Sequence, residues 1–250
     1  MTSKPIKNRR DFLASVFRTG LWATIPASGL LAPLIEVMAA VPRELAAGKS
    51  IFSFNGEVKV DGHLVTKSNM QDVQISATST VSTADRSRII FAVGKDAHYL
   101  RANSEMILDG KGKVERSMNL SKGKVLSVFA RRPGGSSPYR VTTPSAVIGI
   151  RGTGLYAEAE PEIKRSYICT CYGDVNISSS NNPKINEDIK ARHHDQPKYV
   201  YADDSNGEII QDAPFKNHTD EELQLIETIV GRTTPYSSVK EAYPRPRKGY

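Results

Sequence analysis

Short runs of alternating apolar and polar residues fill the chain from position 51 to about position 200. The runs are rich in β-branched and aromatic residues, and turn residues separate them at intervals of about 8–12 positions, which is typical of antiparallel β proteins. Asn55-Gly56 stands between two such runs and predicts a hairpin, because both residues tolerate positive φ. A half-buried strand is expected at Val73, Ile75 and Ala77. The pattern therefore predicts a mainly β fold, either an antiparallel β-sandwich or a roll of solenoid-like coils.

One helix is predicted near the C-terminus. Thr219 and Glu222 form a capping box, in which each side chain satisfies a free backbone N–H at the start of a helix. Leu223 and Ile226 follow at helical spacing, and Gly231 is a typical residue for the end of a helix. The sequence thus adds one C-terminal helix to the β fold.

The first 39 residues have the features of an export signal. Five basic residues stand against two acidic ones, and Arg9-Arg10, followed by Phe12-Leu13, resemble the twin-arginine export motif. The apolar segment 20–35 and a short run of small or aliphatic residues before position 40 complete the pattern of an export signal. We therefore expect a twin-arginine signal peptide at 1–39, a periplasmic protein, and the twin-arginine translocon and signal peptidase as partners.

An uncleaved membrane anchor is the alternative for this segment. A membrane span needs about 20 predominantly apolar residues, and the segment 20–35 is shorter and contains two prolines. The alternative is therefore less favoured, and we expect no membrane span in the mature chain. Only 19 residues precede the apolar segment, so we expect no folded cytoplasmic domain before it.

Charge and motifs exclude several classes of function. The chain has a net charge of +7, of which the signal-like segment carries three charges, and no basic stripe interleaved with aromatic residues is present. Nucleic acid is therefore not an expected partner. The sequence lacks the G-x-S-x-G, H-E-x-x-H and Walker patterns, so we expect a protein that is not an enzyme.

The segment 139–153 has the sequence Tyr-Arg-Val-Thr-Thr-Pro-Ser-Ala-Val-Ile-Gly-Ile-Arg-Gly-Thr, and Gly173-Asp174-Val175 follows downstream. These residues resemble the signature of the FecR domain, a β-rich extracytoplasmic domain named from ferric-citrate signalling regulators. The motif positions are Thr143, Pro144, Gly149, Arg151, Gly152 and Thr153. The resemblance implies a binding, interaction or signal-sensing module, with an envelope protein or glycan as partner. Control of a sigma factor is not implied, because the regulators use a cytoplasmic domain for it.

The same motif has a purely structural interpretation. Pro144 favours an extended bend, and Gly149 and Gly152 allow positive φ or a close backbone approach. The Arg151 guanidinium could satisfy several carbonyls of a tight β-corner that it shares with Thr153. A role for Arg151 in ligand binding is the other possibility that the residues leave open.

Cysteine and histidine provide a candidate metal site. Cys169 and Cys171, on a predicted strand, point to the same face, and His193-His194 follow about twenty residues later. Thiolate and imidazole ligands suit zinc or copper. Adjacent histidines on an extended segment face opposite ways, so only one of them is expected to join the thiols. The alternative is that the cysteines are small core residues. The other histidines, His63, His98 and His218, are expected to stand alone, as surface or core residues.

Four regions are expected: a signal peptide at 1–39, a FecR-like β domain at 50–180, an extension with a strand and the helix at 181–235, and a flexible tail at 236–250. The favoured function is a periplasmic, non-enzymatic binding or signal-sensing module. The alternative is a periplasmic protein that carries a metal or cofactor at the cysteines and one of the paired histidines.

Overall fold

The computed structural model describes residues 44–112, 114–131, 139–205 and 207–236. The export signal expected at 1–39 lies outside the described residues, as does all but the first residue of the tail expected at 236–250. Both therefore stay predictions.

Strands dominate the described residues, and one α-helix follows them. The strands are β1 Ile51–Asn55, β2 Val58–Val60, β3 His63–Leu64, β4 Thr80–Thr83, β5 Arg88–Val93, β6 Asp96–Leu100, β7 Ser104–Lys111, β8 Val114–Val128, β9 Tyr139–Thr142, β10 Ala146–Ile150, β11 Gly154–Glu160, β12 Arg165–Ser179, β13 Asn186–Ala191, β14 Lys198–Tyr201 and β15 Ile210–Asp212. A 3-10 turn occupies Pro161–Ile163, and the helix α1 is Asp220–Ile229. The prediction of a mainly β fold with one C-terminal helix is confirmed.

The strands form two sheets that share their two longest members. The first sheet has the order β1-β5-β6-β8-β11-β12-β14-β15, and the second has the order β3-β2-β4-β7-β8-β9-β10-β12-β13. Strands β8 and β9 pair in parallel, and the other described pairs are antiparallel. The shared strands join the sheets into one continuous hydrogen-bonded structure.

Each shared strand changes sheet at a glycine. Gly123 in β8 has φ +89° and Gly173 in β12 has φ +94°, a conformation that other residues rarely adopt. A Cβ atom at Gly173 would lie 2.8 Å from the carbonyl oxygen of Gly152, so the backbones also approach too closely for a side chain. These two glycines allow the sheets to fold over a common core.

The core lies between the inward faces of the two sheets. Leu155 and Ile168 from the first sheet belong to the same buried apolar cluster as Met118 and Ile148 from the second. Along β12 the side chains alternate, so Cys169 and Cys171 face away from this core. The first sheet is therefore buried on both faces, and a second layer must cover the cysteines.

Residues 214–236, which we call the C-terminal segment, provide this second layer. They include α1, whose capping box between Thr219 and Glu222 is present as predicted. Leu223, Ile226 and Ile229 are buried, and α1 packs against β6 and β8. No helix in the described part of the chain is both long enough and apolar enough to cross a bilayer.

Two predictions of local structure are wrong. Asn55-Gly56 does not close a hairpin, because β1 pairs with β5 and β2 pairs with β3 and β4, so the chain passes between the sheets at this turn. The segment with Val73, Ile75 and Ala77 forms turns instead of a strand, although Ile75 and Ala77 are buried. Ala77 donates its backbone N–H to the carbonyl of Gly112, a contact outside any strand ladder.

Candidate functional site

The two thiols lie on the face of β12 that the C-terminal segment covers. Cys169 and Cys171 are both fully buried and both free of disulfide bonds. The structure therefore places two sulfur atoms side by side beneath the second layer, as the two-residue period of a strand requires.

His194 reaches the thiols because β13 runs back antiparallel to β12. The segment 181–191 contains this strand, which leads the chain to the turn at His193-His194. The backbone N–H of His194 donates to the carbonyl of Cys171 at 3.0 Å. His194 has φ +56°, and its Nδ1 lies 3.5 Å from the sulfur of Cys169.

His218 lies beside His194 and joins the two cysteines and this histidine in one group. Its Nε2 lies 3.1 Å from Nδ1 of His194, and its ring stacks on Tyr156 with a centroid distance of 4.4 Å. The residue is 2% exposed. The prediction that His218 stands alone is wrong, and the sequence contains no signal for its position, because that position depends on how the C-terminal segment packs on the sheet. Of the other histidines, His98 is buried in the core and His63 is exposed.

The candidate site, which we call the Cys2His2 cluster, consists of Cys169, Cys171, His194 and His218. One sulfur or nitrogen atom from each residue lies within 4.8 Å of the corresponding atoms of the others. Around a tetrahedral zinc ion, with bonds of about 2.0–2.3 Å, ligand atoms are separated by about 3.3–3.8 Å. The separations of 3.1 and 3.5 Å at His194 are close to these values.

Hydrogen bonds fix the tautomers of both imidazoles. Nδ1 of His218 donates to the carbonyl of Lys216 at 2.7 Å, and Nε2 of His194 donates to Oδ1 of Asp220 at 3.1 Å. These acceptors require the outer nitrogens to carry the protons. The inner nitrogens then face each other across 3.1 Å, so either a proton on one of them or a bound cation must lie at this contact. Metal-bound histidines show this arrangement, with the outer nitrogen bonded to a carboxylate or carbonyl.

The Cys169 thiolate and the His194 imidazolium stabilise each other within the cluster. Burial alone would raise the pKa of Cys169, but its hydrogen bond with Cys171 and the nearby His218 and His194 hold that pKa well below the usual range. Burial and the neighbouring Cys169 raise the pKa of Cys171. Burial opposes protonation of His194, yet hydrogen bonds with Asp220 and Cys169 raise its pKa to about 9. A bound metal ion would allow both sulfurs to ionise.

His193, the remaining predicted ligand, is not brought to the thiols. Its Nε2 donates to Oδ1 of Asp220 at 2.8 Å, and its ring lies against Tyr236 with a centroid distance of 3.9 Å. The two adjacent histidines thus use the same carboxylate from different sides, and only His194 faces the sulfurs. Hydrogen bonds from His194 and His193 lower the pKa of Asp220 to about 2 against the opposing effect of burial.

The FecR-like motif forms a separate, structural corner. Gly152 has φ +96°, and Thr153 is fully buried with its hydroxyl donating to the carbonyl of Tyr172. Arg151 has an exposed side chain, while its backbone N–H donates to the carbonyl of Asp174 at 3.3 Å. The corner is therefore held by the glycine, the threonine and the backbone, without a buried guanidinium.

The start of the motif organises a neighbouring turn. The hydroxyl of Thr143 accepts hydrogen bonds from the backbone N–H of Ala146 at 3.0 Å and from Ser166 at 2.8 Å, and Pro144 is exposed beside it. Gly149 has neither a positive φ nor a close neighbour, because a Cβ atom there would have its nearest contact at 4.0 Å. The expectation that Gly149 meets a conformational requirement is wrong.

Comparisons with known proteins show a similarity in the central part of the chain. A search of curated protein sequences gave no match. Two crystal structures of a "putative anti-sigma factor" from Parabacteroides distasonis are similar at 15–16% sequence identity, with a TM-score of 0.43. The similar region covers 54% of this chain and only 58% of those chains. The family model described as FecR protein matches residues 61–176, which include the motif and both cysteines. Residues 61–176 of this chain are therefore similar to the FecR protein family.

Proposed function

We propose that this chain is a non-enzymatic FecR-type module that carries one metal ion and acts outside the cytoplasm. The observation that carries the proposal is the Cys2His2 cluster, in which two buried thiols meet two imidazoles. The outer nitrogens of these imidazoles are already bonded to oxygen acceptors. Small core cysteines would not need this oriented environment.

Zinc fits the cluster best. Tetrahedral sites with two sulfur and two nitrogen ligands are typical of zinc, and the separations leave room for a single ion. Four protein ligands would complete its coordination, whereas catalytic zinc sites keep one position open for water or substrate. The ion would therefore stabilise or report a state of the protein, in agreement with a non-enzymatic module. Copper is the second candidate for the same ligands.

Export after folding is consistent with such a site. The Arg9-Arg10 pair resembles the twin-arginine signal, and this route moves folded proteins, often with a bound cofactor. We therefore place the mature protein in the periplasm, with the translocon and signal peptidase as transient partners. An envelope protein or a glycan is the proposed lasting partner, and nucleic acid is not.

Metal analysis of purified protein tests the proposal. We expect about one zinc per chain by mass spectrometry of the released metal, and almost none in Cys169→Ser or Cys171→Ser, because each change removes a ligand. His194→Ala should lose most of the metal, whereas His193→Ala, which removes only a partner of Asp220, should keep most of it. His63→Ala removes an exposed imidazole and is the control. Metal-free wild-type protein, or equal loss in the two alanine variants at 193 and 194, would refute the assignment.

Replacing the arginine pair tests the location. Arg9→Lys/Arg10→Lys should retain precursor in the cytoplasm, because the paired guanidinium groups are the recognition element of the signal. Cell fractionation with an immunoblot would measure the distribution, and N-terminal sequencing of the periplasmic wild type should start near Ala40. Lys4→Arg/Lys7→Arg keeps the charge and the pair, and serves as the control. Full periplasmic accumulation of the protein without its arginine pair would contradict this route.

A further inference from the structure

We infer that the metal ion fastens the C-terminal segment to the FecR domain, so that metal occupancy controls whether this segment is docked. The inference rests on the proposed function, since it needs a metal ion in the Cys2His2 cluster. It adds a regulated state. When the ion is lost, the C-terminal segment leaves the first sheet, and the face that it covered is exposed to solvent.

Three of the four ligands belong to the sheet, and one belongs to the C-terminal segment. Cys169, Cys171 and His194 are attached to the sheet through β12 and the turn after β13, which are paired with each other. His218 comes from the C-terminal segment, two residues before α1. The fourth metal bond is therefore the link that joins the C-terminal segment to the sheet.

Contacts around His218 depend on this link. Phe215 lies 4.6 Å from the rings of both His218 and His194. Asn217 donates to Oε1 of Glu158 at 2.7 Å, and Asp220 accepts from His194. These residues lie within three positions of His218, so their contacts form together when its imidazole is in place.

The far part of the segment has its own anchors. Arg101 forms an ion pair with Glu222 at 2.7 Å, and Tyr172 donates to Glu227. Three apolar side chains of α1 are buried against the sheet. A ten-residue helix is marginal in water by itself, so α1 depends on docking for its order.

Loss of the ion removes the bond that links His218 to the other three ligands. The 3.1 Å contact between Nε2 of His218 and Nδ1 of His194 is then what remains of that link. His194 is held by the turn after β13 and by its backbone bond to Cys171. His218 lies outside any strand, so moving the C-terminal segment away is the change that disrupts the fewest ladder hydrogen bonds.

Hydrogen exchange on the full chain tests this inference. Zinc-loaded protein would be compared with protein treated with a chelator under reducing conditions, and exchange would be followed by mass spectrometry. We expect amides of residues 220–231 to exchange at least about ten-fold faster without zinc, because local opening sets their rate. Amides of β4 and β7, which pair with each other in the second sheet, should keep their rates.

A matched substitution separates metal binding from packing. His218→Phe keeps an aromatic ring against Tyr156 but cannot bind metal, so α1 should exchange rapidly whether or not zinc is added. His63→Phe changes an exposed histidine and should behave as the wild type. Slow exchange of α1 in His218→Phe would show that packing alone docks the segment, and would overturn the inference.

The outcomes distinguish the two proposals. If the wild type binds no metal, the proposed function fails, and this inference fails with it. If zinc binds stoichiometrically but the exchange of α1 does not change, only the inference is overturned. A uniform increase across β4, β7 and α1 would also overturn it, because the ion would then stabilise the whole domain.

Discussion

Adding zinc to the metal-free protein should raise its melting temperature by about 8–16 °C. A ligand that binds only the folded state at about 1,000 times its dissociation constant stabilises that state by about 4 kcal/mol. In a protein of this size, each kcal/mol corresponds to about 2–4 °C. The change would be measured by differential scanning fluorimetry or calorimetry under reducing conditions.

The gain on adding zinc should disappear in Cys169→Ser and in Cys171→Ser. Thr170→Val is the matched control, because Thr170 lies between the cysteines on the other face of β12. Its hydroxyl has no hydrogen-bond partner among the described residues, so the control should keep the full gain. The gain, and not the absolute melting temperature, is the quantity to compare, since a serine in this buried site can lower stability by itself. An equal gain in the wild type and both serine variants would exclude the thiols as ligands.

Replacing Gly152 by valine should lower the free energy of unfolding by about 2–6 kcal/mol. A β-branched residue at φ +96° is strained by about 1–3 kcal/mol. Its Cβ atom would also lie 2.8 Å from Cα of Arg131, and such overpacking adds about 1–3 kcal/mol. Urea unfolding followed by circular dichroism would measure the loss.

Gly149→Val is the matched control for this change. It alters a glycine of the same motif that has an ordinary φ and an open Cβ position, three residues away on β10. We expect a change of less than about 1 kcal/mol there, because β-branched residues suit strands. If the two valine variants unfold at the same urea concentration, the corner does not depend on Gly152.

The two halves of the candidate site differ in how far the sequence predicts them. The paired thiols on one strand face follow from a period of two residues, and the idea that one of two adjacent histidines faces them follows from the same alternation. Which histidine does so depends on the positive φ of His194 and on the pairing of β13 with β12. Neither feature can be predicted from the pattern of neighbouring residues in the sequence.

Local patterns by themselves determined the mainly β class, the capped C-terminal helix and the FecR motif, because each depends on residues only a few positions apart. The tertiary structure alone decided the passage between sheets at Asn55-Gly56, the bends at Gly123 and Gly173, and the turns in place of a strand near Ile75. It also decided the place of His218, which reaches the thiols only because the C-terminal segment covers the outward face of the first sheet. These features depend on contacts between distant parts of the chain, and the energy of such contacts is not contained in the spacing of neighbouring residues.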